Sequence, residues 1–249
     1  MSRTGHHGHF FTDPSLISES SVTLGGADAR HLSVRRARPG DLLQVGDGAG
    51  RLVEAEIQRA DADRVTARIL RSWSIEPPAT RLTVFQGIAK TGKVDWVVEK
   101  LVELGVDEVV VFAAGRSVPV WDAAKGEAIR ERWERIAYAA SKQSRRPWLP
   151  AVAGPLDRAS LLARVRVLPA ALVADPEAET SFGAFLADLG TPASAGVVIG
   201  PEGGLSRSEV GALVDAGAKP VSLGAQILRT ETAGLALSAV VMHHLGRFG

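Results

Sequence analysis

The chain has 249 residues, a formal net charge of +1, 45% hydrophobic residues and 23% charged residues. This balance is that of an ordinary globular protein with room for one large domain or two unequal ones, and it argues against general disorder. The small net charge excludes a chain that attracts nucleic acid as a whole, so RNA binding would have to use local patches. The absence of cysteine excludes disulfides, thiolate metal sites and a cysteine nucleophile.

The N-terminus is polar and lacks the apolar core of a signal peptide, and no apolar run approaches the length that crosses a bilayer. We therefore expect a cytoplasmic protein without membrane contact. His6, His7 and His9 could suggest a metal site, but we interpret them as part of a mobile terminus and predict no metal centre.

Residues 1–74 predict a small β-rich domain. Apolar residues occupy every second position in 53–57 and again in 65–69, which is the period of half-buried strands. Asp47 and Gly48 predict a hairpin turn, and residues 27–34 predict one short helix. Several short strands with a single helix indicate a small barrel, a shape that commonly holds nucleic acid.

A domain boundary is predicted at residues 75–79, where two prolines cannot join a central strand or a helix interior. Beyond it, strands alternate with helices, which predicts an α/β domain over 75–249 with a largely parallel sheet. The predicted strands are 81–88, 108–113, 170–174, 196–199 and 220–223. The helix after the first strand is predicted to stop at Gly105, and a longer one has Ile129, Trp133, Ile136, Ala137 and Ala140 on one face.

The segment from Gly87 to Lys93 has the glycine and lysine spacing of a phosphate-binding loop. Val94 stands where such a loop needs a hydroxyl for magnesium. We favour a lysine-bearing loop at a helix start, whose lysines could still meet a phosphate backbone, and keep a P-loop-like nucleotide hydrolase as an alternative. No GxGxxG fingerprint follows the first strand, so a dinucleotide site has no support.

Two glycine-rich loops lie late in the chain. Residues 197–199 form a β-branched run typical of a buried strand, and Gly200-Pro-Glu-Gly-Gly204 follows it. Ser206 and Glu209 then have the spacing of a capping box. The second loop, 224–233, also follows a strand and precedes a helix. Because ligands lie beyond the carboxyl ends of the strands in an open α/β sheet, the two loops predict one pocket.

These residues carry a family resemblance. The segments Gly200-Pro-Glu-Gly-Gly204, Leu223-Gly224 and Ile227-Leu-Arg-Thr-Glu-Thr-Ala233, with Gln143-Ser144 and Arg146, resemble the ribosomal RNA small-subunit methyltransferase E family (RsmE) of the SPOUT superfamily. Weaker matches spread the likeness over nearly the whole chain: His9-Phe-Phe11, His31-Leu32, Arg36, Gly40-Asp41, Asp47-Gly48 and Glu103-Leu-Gly105. Arg35 replaces a commonly apolar residue and Lys142 an often acidic one, and both changes add positive charge.

The resemblance implies an S-adenosylmethionine-dependent enzyme that methylates N3 of a uridine near the 3′ end of 16S rRNA. It also implies a PUA-like β-barrel over 1–74 that binds RNA, and a SPOUT methyltransferase domain over 75–249 with a trefoil knot. The implied partners are 16S rRNA or the assembled small ribosomal subunit, and a second copy in a homodimer. The alternative from another class is a non-catalytic RNA-binding module that relies on the barrel alone.

Within this resemblance we predict three groups of site residues. The cofactor-binding residues are Gly200, Pro201, Glu202, Gly203, Gly204, Leu223, Gly224, Ile227 and Leu228, where main-chain groups hold the adenosine and apolar side chains line the pocket. Glu202 would meet a ribose hydroxyl or only fix its own loop. The RNA-binding residues are Arg35, Arg36 and Arg38 on the barrel side, and Gln143, Arg145 and Arg146 on the methyltransferase side. Either basic group taken alone is more often a solvated face. Trp148 could stack on a base, although packing is commoner.

The predicted catalytic residues are Arg229 and Glu231. Uracil N3 carries a proton at neutral pH, so this proton must be removed or the resulting anion stabilised. We predict that Arg229 stabilises charge developing on a uracil carbonyl oxygen, with Glu231 as a base or as an orienter of Arg229. The structural alternative makes Thr230 a plain helix cap and Glu231 a first-turn carboxylate favoured by the helix dipole.

Overall fold

The computed structural model describes residues 6–89, 92–117 and 123–248, and the chain divides into two compact units. The N-terminal unit runs to Pro77 and also contains Ser141–Leu149, a segment that lies within the predicted second domain. The C-terminal unit consists of Pro78–Ala140 and the chain from Pro150 onward. Among the described helices, none has the length and apolar character needed to cross a membrane.

The N-terminal unit is built on one five-stranded sheet with the order β1-β3-β4-β5-β2. The strands are β1 (His6–Phe11), β2 (Ser21–Gly25), β3 (Leu42–Gly46), β4 (Arg51–Ala60) and β5 (Arg64–Ser74). A 3-10 turn covers Pro14–Leu16, and α1 covers Gly26–Val34. The pair β1 and β3 is parallel, whereas the other neighbours are antiparallel.

The sheet curls because its two outermost strands are linked. Thr12, directly after β1, donates its hydroxyl to the carbonyl of Thr23 in β2 over 2.9 Å. The enclosed core includes Phe10, Leu43 and Val53, which are all buried. The alternating apolar residues in 53–57 therefore point to the inner face of the sheet, as expected for half-buried strands. The predicted hairpin turn is confirmed, since the Asp47 amide donates to the Arg51 carbonyl over 3.1 Å.

The histidines near the N-terminus lie in β1, so the prediction of a mobile terminus was wrong for His7 and His9. His7 Nε2 is 2.8 Å from Asp41 Oδ2, and His9 Nδ1 is 3.0 Å from Gln44 Oε1. Burial lowers the pKa of His9 below its ordinary value. Groups of three or more candidate metal ligands are absent from the described residues. Because β1 pairs with a strand more than thirty residues away, its order could not be read from local pattern.

The segment Ser141–Leu149 packs on the hairpin of the N-terminal unit. The Gly50 amide donates to the Pro147 carbonyl over 3.1 Å, and the Leu149 amide donates to the Gly48 carbonyl over 2.9 Å. A Cβ atom on Gly50 would collide with the indole ring of Trp148, so only glycine allows this approach. The position of Trp148 favours packing over base stacking.

The C-terminal unit holds a six-stranded sheet in which all neighbouring strands are parallel, with the order β11-β9-β10-β6-β7-β8. Its strands are β6 (Arg81–Gly87), β7 (Glu108–Phe112), β8 (Ala151–Leu156), β9 (Ala170–Ala174), β10 (Ser194–Ile199) and β11 (Ala218–Val221). Its helices are α2 (Lys93–Leu104), α3 (Ala123–Gln143), α4 (Arg158–Arg166), α5 (Phe182–Leu189), α6 (Arg207–Asp215) and α7 (Thr230–His244). The end of α3, from Ser141 onward, belongs to the N-terminal unit.

Two helix predictions are confirmed by the local chemistry. Helix α2 ends where Gly105 adopts a φ of 103°, a left-handed conformation that favours glycine after a helix. The predicted apolar face of α3 is buried at Trp133, Ala137 and Ala140. Trp133 also donates its indole N–H to Asp95 Oδ1 over 3.1 Å, which satisfies its polar atom inside the core.

The prediction missed β8 and displaced β11, and proline explains both errors. The missed strand contains Pro155, while β11 contains Pro220 and begins two residues before the predicted 220–223. Proline has no N–H for a sheet ladder and is tolerated on edge strands. Both strands lie at the edges of the sheet, where that loss is acceptable.

Candidate active site

A pocket of about 510 Å³ lies beyond the carboxyl edge of the parallel sheet in the C-terminal unit. The segments that follow β9, β10 and β11 line it, together with the first turn of α7. Its volume falls in the range of roughly 300–1,000 Å³ that small-molecule sites occupy. Because all the strands point the same way, loops that are far apart in the sequence meet at this edge.

The structure brings most of the predicted cofactor-binding residues to the pocket. Eight of the nine line it: Gly200, Pro201, Glu202, Gly204, Leu223, Gly224, Ile227 and Leu228. Gly203 does not line the pocket and instead faces Arg116, whose Nη1 donates to the Gly203 carbonyl over 3.0 Å. A Cβ atom on Gly203 would lie 3.0 Å from Cβ of Arg116. The role of the nine residues as cofactor contacts stays a prediction.

Glycine is required at two points around the turn 200–204. Gly204 has a φ of 68°, which a side chain rarely permits. Gly87, at the end of β6, lies so close to the turn that a Cβ atom there would sit 2.5 Å from the Pro201 nitrogen. The turn can therefore lie directly against the end of a central strand.

The hydroxyl of Thr230 ties three segments together beneath the pocket. Its Oγ1 donates to the Gly200 carbonyl over 2.6 Å and accepts from Nε2 of Gln86 over 2.8 Å. The N-cap of α7 is Arg229, so the interpretation of Thr230 as a helix cap was wrong. Sequence reasoning missed Gln86, although a polar residue inside the apolar strand β6 was a signal for it.

The catalytic candidates lie at the start of α7. Arg229 is exposed and lines the pocket. Glu231 pairs with Lys93, whose Nζ is 3.2 Å from Glu231 Oε1. This ion pair does not support Glu231 as an orienter of Arg229; its role as a base stays a prediction.

Lys93 is a pocket residue to which the sequence analysis gave no place in the cofactor site. It lies in the first turn of α2, and its Nζ also approaches Glu202 Oε1 at 3.3 Å. The hydrogen bond to Glu231 raises the pKa of Lys93, so the side chain is a cation. Two further residues of the loop that resembles a phosphate site, Lys90 and Thr91, lie outside the described residues.

A second ion pair borders the pocket beyond β9. Asp175 is buried and accepts two hydrogen bonds from Arg207, at 2.8 and 2.9 Å. These bonds hold the pKa of Asp175 below its ordinary value. Sequence reasoning missed this pair; an aspartate directly after an apolar strand was the available signal.

The predicted capping box at the start of α6 is confirmed. Glu209 accepts from the amides of Ser206 and Gly115, over 2.7 and 2.8 Å. Burial acts to raise the pKa of Glu209, but these hydrogen bonds outweigh it and the pKa lies below its ordinary value. One carboxylate therefore joins α6 to the loop after β7, which carries the pocket residue Arg116.

All six predicted RNA-binding residues belong to the N-terminal unit, including the three that we assigned to the methyltransferase side. Five of them are exposed: Arg35, Arg36, Arg38, Gln143 and Arg145. Arg146 is only 8% exposed and donates its Nε to the Trp148 carbonyl over 3.1 Å. This position favours a structural role for Arg146.

The two basic groups both lie near β1. Arg35 donates to the carbonyl of His7 over 3.3 Å. On the other side, the charges of Arg145 and Lys142 add to the effect of burial in lowering the pKa of His9. Lys142 also forms an ion pair with Asp28, and its Nζ is 4.8 Å from the centre of the Phe10 ring. Basic residues from two segments that are distant in the sequence, 35–38 and 142–145, therefore lie next to β1.

A parallel sheet with a glycine-lined pocket at its carboxyl edge, accompanied by a curled β unit, is consistent with an RNA methyltransferase that has a PUA domain, and two family models identify this class. The family model of the RNA methyltransferase domain matches residues 76–242, and that of the RNA methyltransferase PUA domain matches residues 24–70. The predicted SPOUT-type α/β fold with a PUA-like barrel is confirmed. The trefoil knot stays a prediction.

Similar proteins of known name show to which family of RNA methyltransferases the chain belongs. Ribosomal RNA small subunit methyltransferase E of Mycobacterium bovis is 37% identical over 240 residues, which cover 93% of this chain and 90% of that protein. The Bacillus subtilis protein of the same name is 33% identical over 92% of this chain and 93% of its own length. The chain belongs to the ribosomal RNA small subunit methyltransferase E family.

A solved structure agrees with this membership. The crystal structure of a ribosomal RNA small subunit methyltransferase E from Neisseria gonorrhoeae, bound to S-adenosyl methionine, matches with a TM-score of 0.83 and 27% sequence identity. The match covers 95% of this chain and 97% of that chain.

Proposed function

We propose that this protein transfers a methyl group from S-adenosylmethionine to N3 of a uridine in 16S rRNA. The observation that carries the proposal is the pocket formed by the turns 200–204 and 223–228, in a chain that belongs to this methyltransferase family. The proposed activity is inferred from the names of the relatives. The proposed cofactor site is inferred from the geometry of the pocket.

The pocket fits the chemistry of this cofactor. Leu223, Leu228 and Ile199 give apolar surface for an adenine ring, and the glycine turns bring backbone groups within reach of a ligand. Carboxylates of Glu177 and Glu202 border the same space and suit ribose hydroxyls or a positive sulfonium. When bound, S-adenosylmethionine supplies an electrophilic methyl group.

The residues of the chain then orient the uracil and manage its charge. Arg229, exposed at the pocket, stabilises the negative charge that develops on a uracil carbonyl oxygen when the N3 proton leaves. Glu231 is the candidate to accept that proton at a carboxylate oxygen, while Lys93 keeps the carboxylate in place. The other loop residues hold the reactants at the distance that displacement needs.

The RNA is held by phosphate contacts of the N-terminal unit. The exposed arginines at 35, 36 and 38 and at 145 supply positive charge. The target base has to be unpaired, because N3 lies on its pairing edge. The substrate is 16S rRNA or the assembled small subunit, and a cytoplasmic location is part of the proposal because it accords with this substrate. A homodimer is part of the proposal and accords with the frequency of two-fold assemblies.

Calorimetry with S-adenosylmethionine and mass spectrometry of 16S rRNA test the proposal together. We expect the protein to bind the cofactor, and we expect rRNA from cells that lack the protein to miss one methyl group on a uridine. Purified protein should restore that group, and the R229A variant should restore it about 100-fold more slowly. Binding of RNA without cofactor affinity would instead indicate a non-catalytic module, and magnesium-dependent ATP binding would indicate a nucleotide hydrolase.

A further inference from the structure

Lys93 meets two carboxylates from different elements; Lys93 and Glu202 line the pocket, whereas Glu231 lies beside it in α7. Nζ of Lys93 lies 3.2 Å from Glu231 Oε1 and 3.3 Å from Glu202 Oε1. Glu231 belongs to the first turn of α7, and Glu202 belongs to the glycine turn after β10. The side chains of Lys93 and Glu202 are each about one third exposed, at 33% and 31%.

The two carboxylates would repel each other without the cation between them, because like charges at short range are unfavourable. Nearby, the turn is held by two further contacts, since Gly200 accepts from Thr230 and Gly203 accepts from Arg116. Both are contacts to the main chain of the turn, and the ion pair with Lys93 adds a contact through the Glu202 side chain. Because Lys93 also pairs with Glu231, it joins the turn to α7.

We propose that Lys93 is a positioning residue that clamps the glycine turn beside the cofactor site to α7, through its ion pairs with Glu202 and Glu231. It acts through the two carboxylates and need not touch the reacting atoms. This inference rests on the proposed function for its link to methyl transfer, whereas the clamp itself is a property of the cofactor-free protein.

The backbone supports this assignment. Gly92 adopts a φ of 89° as the N-cap of α2, which lets the chain turn sharply so that Lys93 begins the helix. A cation in the first turn of a helix is opposed by the helix dipole. The residue thus occupies a position that local helix energetics disfavour, and the two carboxylates supply the compensating interaction.

Helix α2 also offers a matched control. Lys100 contacts two carboxylates as well, with Nζ 2.7 Å from Glu99 Oε1 and from Glu103 Oε1, and its side chain is 32% exposed. It does not line the pocket. K93M and K100M therefore remove the same charge and the same number of ion pairs from one helix, and K93R restores the cation at the clamp.

The first test is hydrogen exchange in the cofactor-free protein. We expect K93M to speed amide exchange in residues 200–204 and in the first turn of α7, whereas K100M and K93R leave these segments as in the wild type. Unchanged exchange in K93M would overturn the clamp. A loss of protection across the whole chain would point to general destabilisation and would also overturn it.

The second test is calorimetric affinity. We expect K93M to weaken binding of both S-adenosylmethionine and S-adenosylhomocysteine by about tenfold, since coupled neighbours commonly contribute on that scale, and we expect K93R and K100M to stay within about twofold. A K93M variant that changes only the KM for RNA would overturn the positioning role and indicate a phosphate contact. If the wild type binds no S-adenosylmethionine, the proposed function fails, and the exchange comparison still decides the clamp.

Discussion

Thr230 Oγ1 lies 2.6 Å from the carbonyl oxygen of Gly200, and the same hydroxyl accepts from Gln86 over 2.8 Å. One side chain thus connects the end of β6, the glycine turn after β10 and the start of α7. Thr230 is buried, so these bonds are shielded from water. The pocket depends on this junction because its walls come from separate segments.

We therefore expect T230V to weaken S-adenosylmethionine binding roughly tenfold, because an isosteric methyl group removes the donor to the Gly200 carbonyl and the acceptor for Gln86 Nε2. Calorimetry measures the affinity. T230S keeps the hydroxyl and should bind as the wild type does. T232V changes an exposed threonine of the same helix and should have no effect. Equal affinity of T230V and wild type would show that the junction is not needed for the pocket.

Replacing Arg229 separates catalysis from cofactor binding. R229A should lower the methylation rate about 100-fold, as expected when one group that stabilises developing charge is removed. Cofactor affinity should stay within about threefold, since Arg229 acts on the uracil. R166A removes an exposed arginine from α4, outside the pocket, and serves as the control. Wild-type turnover of R229A on RNA would refute the catalytic role.

The arginines that follow α1 should contribute to RNA affinity through phosphates. Changing Arg35, Arg36 and Arg38 together to glutamine should weaken binding and reduce the slope of log affinity against log salt by about 2, if each contacts one phosphate of a single strand. Filter binding across a salt series measures both. The matched control is the triple change of Arg158, Arg164 and Arg166 on α4 to glutamine, which removes the same charge. An unchanged slope in the first variant would indicate a solvated face.

Arg146 should behave differently from these exposed arginines. Because Arg146 is 8% exposed and bonded to the Trp148 carbonyl, R146Q should destabilise the protein by about 1.5–3 kcal/mol, the range for hydrogen bonds to charged groups. Urea unfolding measures this loss. The salt slope of RNA binding by the folded variant should be unchanged, and a reduced slope with full stability would support direct RNA contact.

The ion pair of Asp175 and Arg207 gives a pH-dependent prediction. The pKa of Asp175 is lowered in the folded state, so the pair stabilises the protein above the ordinary carboxyl value of 3.8, and this contribution is lost as the pH falls through the folded-state pKa. D175N should therefore unfold at a lower temperature than the wild type at pH 7, and the difference should shrink on acidification.

An exposed pair supplies the comparison for D175N. Asp188 lies 3.4 Å from Lys219, and its side chain is 70% exposed. D188N should show little difference from the wild type at any pH, because exposed pairs contribute little to stability. A D175N difference that stayed constant from pH 7 into strong acid would contradict the ion-pair explanation.

Much of the fold was accessible from the sequence because its signals are local. The alternation in 53–57, the helix stop at Gly105 and the capping box of Ser206 and Glu209 all depend on residues within a few positions of one another. The glycine turn 200–204 was recognisable for the same reason. Strands that carry proline gave weaker signals, and β8 was missed.

The arrangement of the site required tertiary information. Thr230 and Gln86 are 144 positions apart, and Lys93 and Glu231 are 138 positions apart. The sequence does not show which distant group will form the hydrogen bond or ion pair of a given polar residue. The sequence therefore places Lys93 in a loop resembling a phosphate site and predicts Glu231 as a base or as an orienter of Arg229, whereas the fold pairs Lys93 with Glu231.

By itself the sequence determined the apolar faces of segments such as 53–57 and α3, where several strands and helices end, and which glycine segments follow the strands, since these properties follow from periodicity and backbone freedom. Only the tertiary structure decided that Ser141–Leu149 joins the N-terminal unit, that β1 pairs with β3 and that Lys93 meets two carboxylates. Periodicity shows that one face of a segment is buried; which segment covers that face is decided when the chain folds.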